Sequence, residues 1–381
     1  MKIGARSKNA KKDLDVITIS EDNIKQHLAR LIAFDTRNGS GDEVACVNYL
    51  RDELARFSPD KLIVEEVPRS RGKSNSAFVL AIWGSPKTVL NVHIDTVPSG
   101  QGWDSDPLEL LEKNGRLIGL GSSDIKGAAA CILAALETTV PKNVAVLLSG
   151  DEEHGSEVMP ALIKAGHLNG VVNAIVCEPT SCRVGRRHRG MLAIRADFSG
   201  PGGHSSLADT TIRPLLGAAR LAASIGDYAD AHMDFGVEPY KGLCVNIGEL
   251  RSDGAYNVIP THASLFMSMR PPPGDEVMLR RSEIYAMAKR LCPEAKLDTI
   301  VAFEPFATKD ISVFEGFFKG SEIVDLPYWT EAAMMSAAGI NTVVYGPGNI
   351  EQAHKPNEYV EIEQLTIAAQ HYARALLGGM S

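Results

Sequence analysis

The sequence predicts an α/β fold, a sheet covered by helices on both faces, with a second α+β unit inserted into it. Three observations carry the prediction. Apolar runs such as Asn-Val-Ala-Val-Leu-Leu-Ser at 143–149 show no polar alternation, the mark of strands buried on both sides. Stretches with apolar residues at helical spacing separate those runs, as a helix-covered sheet requires. From about Met191 the order changes to β-α-β-β-α-β, a split-βαβ or ferredoxin-like pattern, and the first rhythm returns near residue 303. The expected division is a first segment at 1–190, an inserted unit at 191–302 and a second segment at 303–381. A chain of 381 residues and 41.0 kDa has room for about two such units.

Taken in order, 21–34 reads as a helix through the stripe Ile24, Leu28, Leu31 and Ile32. Residues 44–57 repeat this with Val47, Leu50 and Leu54, and Asp42 and Glu43 suit a first turn. Strand-like runs follow at 61–67, 76–82 and 88–93. An Ala-rich helix is expected at 126–139, just after the polar Ser-Ser-Asp. Buried strands at 143–149 and 174–177 flank a helix at 158–165. The inserted unit reads as strand 191–198, helix 211–225, strands 243–250 and 263–270, helix 276–291 and strand 295–301. The Gly-rich 199–203 and Pro-rich 271–274 are turns within it. Residues 330–338, 342–345 and 362–377 then read as helix, strand and helix.

Composition removes several classes of function. With 39 basic and 47 acidic residues the net charge is −8, the wrong sign for a sequence-independent nucleic-acid binder. The chain is 44% hydrophobic and 23% charged, enough to bury a sizeable core. The longest nearly apolar stretch, 127–140, is too short to span a bilayer. Residues 1–12 are basic without an apolar stretch behind them, so they read as a frayed tail, not a signal peptide. Cys46, Cys131, Cys177, Cys182, Cys244 and Cys292 are scattered, as expected for small core residues in a reducing compartment. These features predict a soluble cytoplasmic protein.

The candidate chemistry lies where acids and histidines follow the plain apolar strands. In Asn-Val-His-Ile-Asp at 91–95, His93 and Asp95 point to one side of an extended segment, a metal ligand with its supporting carboxylate. The alternative is a buried His bonded to Asp for stability. Asp124 stands immediately before a helix, where an N-cap is the ordinary role. The glycines around it match neither G-x-G-x-x-G nor a P-loop, which argues against a dinucleotide-dependent oxidoreductase. Asp151, Glu152 and Glu153 follow the most apolar strand and repel one another unless a cation offsets them. Glu178 and His354 follow two further strands. Such a set, imidazole and carboxylate without thiolate, suits zinc, cobalt or manganese. One bridging carboxylate, with a His and a carboxylate at each ion, would make a two-metal site. It would leave Glu152 or Glu153 as general base.

Six motifs then carry a family resemblance. They are Asn-Val-His-Ile-Asp-Thr-Val-Pro, Gly-Leu-Gly-Ser-Ser-Asp-Ile-Lys-Gly, Gly-Asp-Glu-Glu, Cys-Glu-Pro-Thr-Ser, Gly-Gly-His-Ser-Ser and Gly-Pro-Gly-Asn-Ile-Glu-Gln-Ala-His-Lys-Pro-Asn-Glu-Tyr. The chain resembles the M20 metallo-deacylases, in the branch of acetylornithine deacetylase and succinyl-diaminopimelate desuccinylase. The last motif, with Trp329-Thr-Glu331, looks more like acetylornithine or acetylcitrulline deacetylases. The resemblance implies a zinc-peptidase-like catalytic domain, a mixed sheet flanked by helices, with an inserted lid that forms a homodimer. It implies two divalent ions, zinc or cobalt, bridged by Asp124, with His93 and Glu178 at one and Glu153 and His354 at the other. Glu152 becomes the general base, Asp95 orients His93, and His204 crosses to the partner subunit's site to hold the oxyanion. Asn257 and Arg270 resemble lid residues that bind substrate, and Arg189 is a secondary candidate for a basic contact. The expected reaction is removal of a small acyl group from an N-acyl amino acid such as acetylornithine, a step in arginine biosynthesis. Succinyl-diaminopimelate, acetylcitrulline and dipeptides fit the same chemistry, and an inactive metal-binding homologue is the reading from another class. His27, His154, His167, His232, His262 and His371 are read as ordinary structural or surface histidines.

Overall fold

The structure, a computed structural model, describes residues 17–69 and 74–378. The basic segment 1–12, expected to be a frayed tail, lies outside the described residues.

Local signals start the helices where expected. The Ser20 side chain accepts the Asn23 amide ahead of helix Glu21–Ile32, whose Ile24, Leu28, Leu31 and Ile32 are buried. Asp42 caps Glu43–Ala55 in the same way. In helix Lys126–Leu136 every residue is buried. Its run of alanines lets the chain pack closely against Glu21–Ile32 and Ile362–Leu376 while its other side covers the sheet.

The main sheet has nine strands among the described residues. Its order is Lys61–Val67, Ser76–Trp83, Val144–Ser149, Thr88–His93, Asn173–Val176, Asn341–Val344, Val184–His188 and Phe306–Ala307, with Ile323–Leu326 also against Val184–His188. The four strands from Val144–Ser149 to Asn341–Val344 run parallel, and the flanking pairs Lys61–Val67/Ser76–Trp83 and Ser76–Trp83/Val144–Ser149 are antiparallel. Two apolar clusters lie on its faces. Leu90, Val92, Val146 and Leu148 turn to one, and Val89, Ala145, Leu147 and Val176 to the other. Burial on both faces is why these strands carry no polar alternation.

The chain leaves this sheet after His188 for a four-stranded antiparallel sheet, ordered Val245–Ser252, His262–Met269, Met191–Ser199, Lys296–Phe303. Helices Pro214–Ala231 and Val277–Leu291 pack on it around Ile194, Phe198, Leu221, Leu265 and Ile284. A small two-stranded piece pairs Gly203–His204 with Val258–Ile259. Met191 stands opposite Phe303, so exit and return lie on neighbouring strands.

Some elements differ from expectation. The first helix of the second unit starts at Pro214, whose fixed φ suits a first helical position, and Ser205–Thr210 forms a short 3-10 turn before it. An additional strand, Val184–His188, carries most of the sequence Arg-Arg-His-Arg at 186–189. Arg186 and Arg187 both pair with Asp325 on the neighbouring strand, and His188 is buried. Cys244 is exposed rather than a core residue, and all six cysteines are free. No helix among the described residues is long and apolar enough to cross a membrane.

Candidate metal centre

The four parallel strands open their carboxyl ends at one edge of the sheet, where ligands gather in open α/β folds. His93 ends its strand, Asp151 to Glu153 follow Val144–Ser149, and Glu178 follows Asn173–Val176. His354 belongs to the loop after Asn341–Val344, and Asp124 to the turn before helix Lys126–Leu136. The fold thus joins residues 261 positions apart.

Two groups result. His93, Asp124 and Glu178 offer ligand atoms all within 4.8 Å of one another, and so do Asp124, Glu153 and His354. Asp124 belongs to both. Its Oδ1 lies 3.2 Å from His93 Nε2 and its Oδ2 lies 3.4 Å from His354 Nε2. Glu178 Oε2 is 3.7 Å from His93 Nε2, and Glu153 Oε1 is 2.7 Å from His354 Nε2. The helix-cap role open to Asp124 is not the one it takes: Ile125 is the N-cap residue and makes no side-chain cap bond.

The electrostatics follow from crowding. Burial drives the Glu178 carboxyl up to about 7, against the pull of the His93 charge. Burial and then the Glu178 charge push Glu152 well above the usual carboxylate range. Hydrogen bonds to Asp124 and Glu153 hold the His354 imidazole up at about 10. Burial opposes protonation of His93, but Glu178 and Asp124 outweigh it and raise its pKa well above the usual value. A field that binds protons this firmly also attracts cations. Asp124, Glu153 and Glu178 supply three carboxylates and His93 and His354 two imidazoles, in two groups that share Asp124. The donor set therefore fits a pair of divalent ions.

Asp95 stands against His93, where the expected orienter would be, with its backbone nearer than its carboxylate. His93 Nδ1 donates to the Asp95 backbone carbonyl at 3.1 Å, while the nearer carboxylate oxygen is 3.5 Å away. The carboxylate instead accepts the backbone amides of Glu152 and Glu153, each at 3.1 Å, and Asn38 Nδ2 at 3.1 Å. The backbone of Asp95 aims the imidazole, and its side chain pins the acidic loop. That loop also explains its three successive acids. Asp151 pairs with Arg69 at 2.9 Å, Glu153 with His354, and Glu152 has no basic partner at hydrogen-bond distance among the described residues. Arg69 bonds Glu43 as well. Sequence reading missed Arg69 and Glu43, since nothing local links residues this far apart.

A cleft of about 690 Å³ adjoins the cluster. Glu152, Glu153, His354, Arg69 and Arg270 contribute its polar lining. Phe303 and Trp329, stacked at 4.3 Å, form an apolar wall with Met191 and Ile300. The expected substrate contacts Asn257 and Arg189 do not line the cleft, nor does His204, which was expected at the partner subunit's site. His204 belongs to the exposed two-stranded piece and Asn257 to the turn just before its second strand, where Ser205 N donates to Asn257 O at 3.1 Å. Arg189 spends its guanidinium on the carbonyls of Lys241, Gly242 and Arg270, at 2.7, 2.6 and 2.8 Å. It straps a loop of the second unit and does not line the cleft.

The profile of Peptidase family M20/M25/M40 matches residues 89–378. The chain is similar to the N-acetyl-L-citrulline deacetylase of Xanthomonas campestris pv. campestris, 32% identical across 93% of this chain and 97% of the relative. It is similar to the acetylornithine deacetylase of Myxococcus xanthus at 30% identity, across 93% and 96% of the two chains. Among solved structures, an M20 family metallo-carboxypeptidase from Sulfolobus solfataricus has a TM-score of 0.73 at 14% identity, covering 93% of this chain and 98% of that one. A tripeptidase from Staphylococcus aureus also gives 0.73, at 18% identity, covering 94% and 98%. These two likenesses bear on the fold alone. With the family profile spanning most of the chain and relatives 32% and 30% identical across 93% of it, the chain belongs to peptidase family M20/M25/M40.

Proposed function

We propose that the protein is a metal-dependent amidohydrolase that removes a small acyl group, acetyl first among them, from the α-amine of an N-acyl amino acid such as acetylornithine. One observation carries the reading: the two imidazoles face separate oxygens of one buried carboxylate, Asp124, beside a cleft that also exposes Glu152. Asp124 would be the shared ligand, with His93 and Glu178 on one side and Glu153 and His354 on the other. Zinc or cobalt suits these donors, and a bound pair would polarise the amide carbonyl and acidify water.

The chain's own groups do the rest. Glu152, which lines the cleft, takes the proton of the attacking water and returns it to the departing amine. Arg270 offers the cleft a two-pronged donor for the substrate carboxylate. The stacked Phe303 and Trp329 give the acyl chain or side chain an apolar wall. Residues 191–302 serve as a lid and as the surface of a homodimer, through which His204 reaches the partner subunit's site to hold the oxyanion and Asn257 supports it. Closure would shield the reaction from bulk water. Six unpaired thiols support a reducing, cytoplasmic setting. Acetylornithine as substrate would place the enzyme in arginine biosynthesis.

The test is a hydrolysis panel with zinc- or cobalt-loaded protein across acetylornithine, acetylcitrulline, succinyl-diaminopimelate and simple dipeptides. Fast release of acetate from the acetyl amino acids is expected. A fully metallated protein that left every substrate intact would sink the proposal.

A further inference from the structure

Glu358 is a buried carboxylate, 2% exposed, four residues beyond His354 and directly before strand Tyr359–Glu361. Its side chain is filled by backbone amides. Oε1 accepts Ser123 N at 2.8 Å and Asp124 N at 2.9 Å, and Oε2 accepts Gly121 N at 3.0 Å. Its own carbonyl accepts Gly119 N at 3.0 Å. A second tie joins the same two segments, because Asn349 N donates to Ser123 Oγ at 2.9 Å and Ser123 Oγ donates to Asn349 O at 3.2 Å. The turn that ends in Asp124 is therefore fastened to the His354 loop at two points, Asn349 and Glu358, one on each side of His354.

An uncharged acceptor could satisfy amides, but a carboxylate makes roughly twice as strong a bond to each and adds negative charge behind Asp124. That charge is unfavourable for a cluster already rich in carboxylates and favourable once divalent ions bind. Resting on the reading of Asp124 as the shared ligand, we propose that Glu358 is a positioning residue that sets the spacing between Asp124 and His354 and thereby the affinity of the cation pair.

The experiment titrates zinc into metal-stripped full-length wild type, Glu358→Gln and Glu358→Ala by calorimetry, after circular dichroism has shown which proteins are folded. Gln keeps the volume and one oxygen but turns an NH2 group toward a backbone donor, so it serves if the Ala protein fails to fold. Wild type should take up two equivalents, with folded variants binding roughly 10–100-fold more weakly, the usual cost of removing a ligand's outer partner. Hydrogen exchange of the Gly121, Ser123 and Asp124 amides should also quicken in the stripped variants. Wild-type affinity in either folded variant would overturn the proposal while leaving the two-cation reading intact. Wild type that took up no zinc would overturn both.

Discussion

Glu152 and Glu153 are adjacent and chemically alike, yet the fold gives them different surroundings. Glu153 is bonded to His354, whereas Glu152 faces the cleft with no such partner among the described residues. Exchanging Glu152 for Gln should lower kcat by about 10²–10⁴-fold and leave zinc uptake at two equivalents. The Glu153→Gln protein should instead bind one equivalent tightly, read by metal analysis after dialysis. Full turnover in the first variant would remove Glu152 as base. Much of this was legible, because acids at the ends of unbroken apolar strands have few structural uses. What the sequence left open was the division of labour. It depends on partners such as Arg69 for Asp151, His354 for Glu153 and the two backbone amides for Asp95, none of them near in sequence. The partners of Arg189 were hidden for the same reason: an Arg beside a glycine gives no sign that three carbonyls, of Lys241, Gly242 and Arg270, will occupy it.

At the scale of elements, parallel strands announced themselves and Val184–His188 did not. Its charged residues contradict the apolar signature, and they are tolerated only because Asp325 comes alongside Arg186 and Arg187. Its last residue ties the two sheets together. His188, fully buried, donates from Nδ1 to the Arg189 carbonyl at 2.9 Å, at the crossing into the second unit. Its Nε2 accepts the Thr330 amide at 3.2 Å. Burial pushes the imidazole down to about 4, against about 6.5 in an unfolded chain. Between those values the unfolded chain binds a proton that the folded protein refuses, so acid favours unfolding. The stabilisation is complete above about pH 6.5 and drains as the pH falls toward 4, by about 1.4 kcal/mol per unit. In urea unfolding, wild type should lose roughly 2 kcal/mol more than His188→Gln between pH 7 and pH 5. Equal losses would show that His188 is not the group concerned.

For the whole molecule, the informative feature is how little chain joins the two units. Met191 and Phe303 are register partners on adjacent strands, so the strands that leave and return are separated by only about 5 Å. The second unit has its own apolar cluster, drawn entirely from residues between Leu192 and Ala302. The six site groups, His93, Asp124, Glu152, Glu153, Glu178 and His354, all lie outside it. Replacing 192–302 by a short Gly-Ser turn should therefore give a folded protein that still binds two zinc ions. It should have lost turnover by at least about 10³-fold, because Arg270, Ile300, His204 and Asn257 leave with the insertion. Calorimetry and the acetylornithine assay on the excised protein separate the two effects. Zinc uptake lost along with turnover would mean that the insertion helps to build the metal centre. Near-full turnover without it would remove the lid and His204 from the chemistry. The order of elements in the insertion was readable, since each has an ordinary amphipathic pattern. Its part in the cleft was not, because nothing local to Arg270 or Ile300 says what they will face.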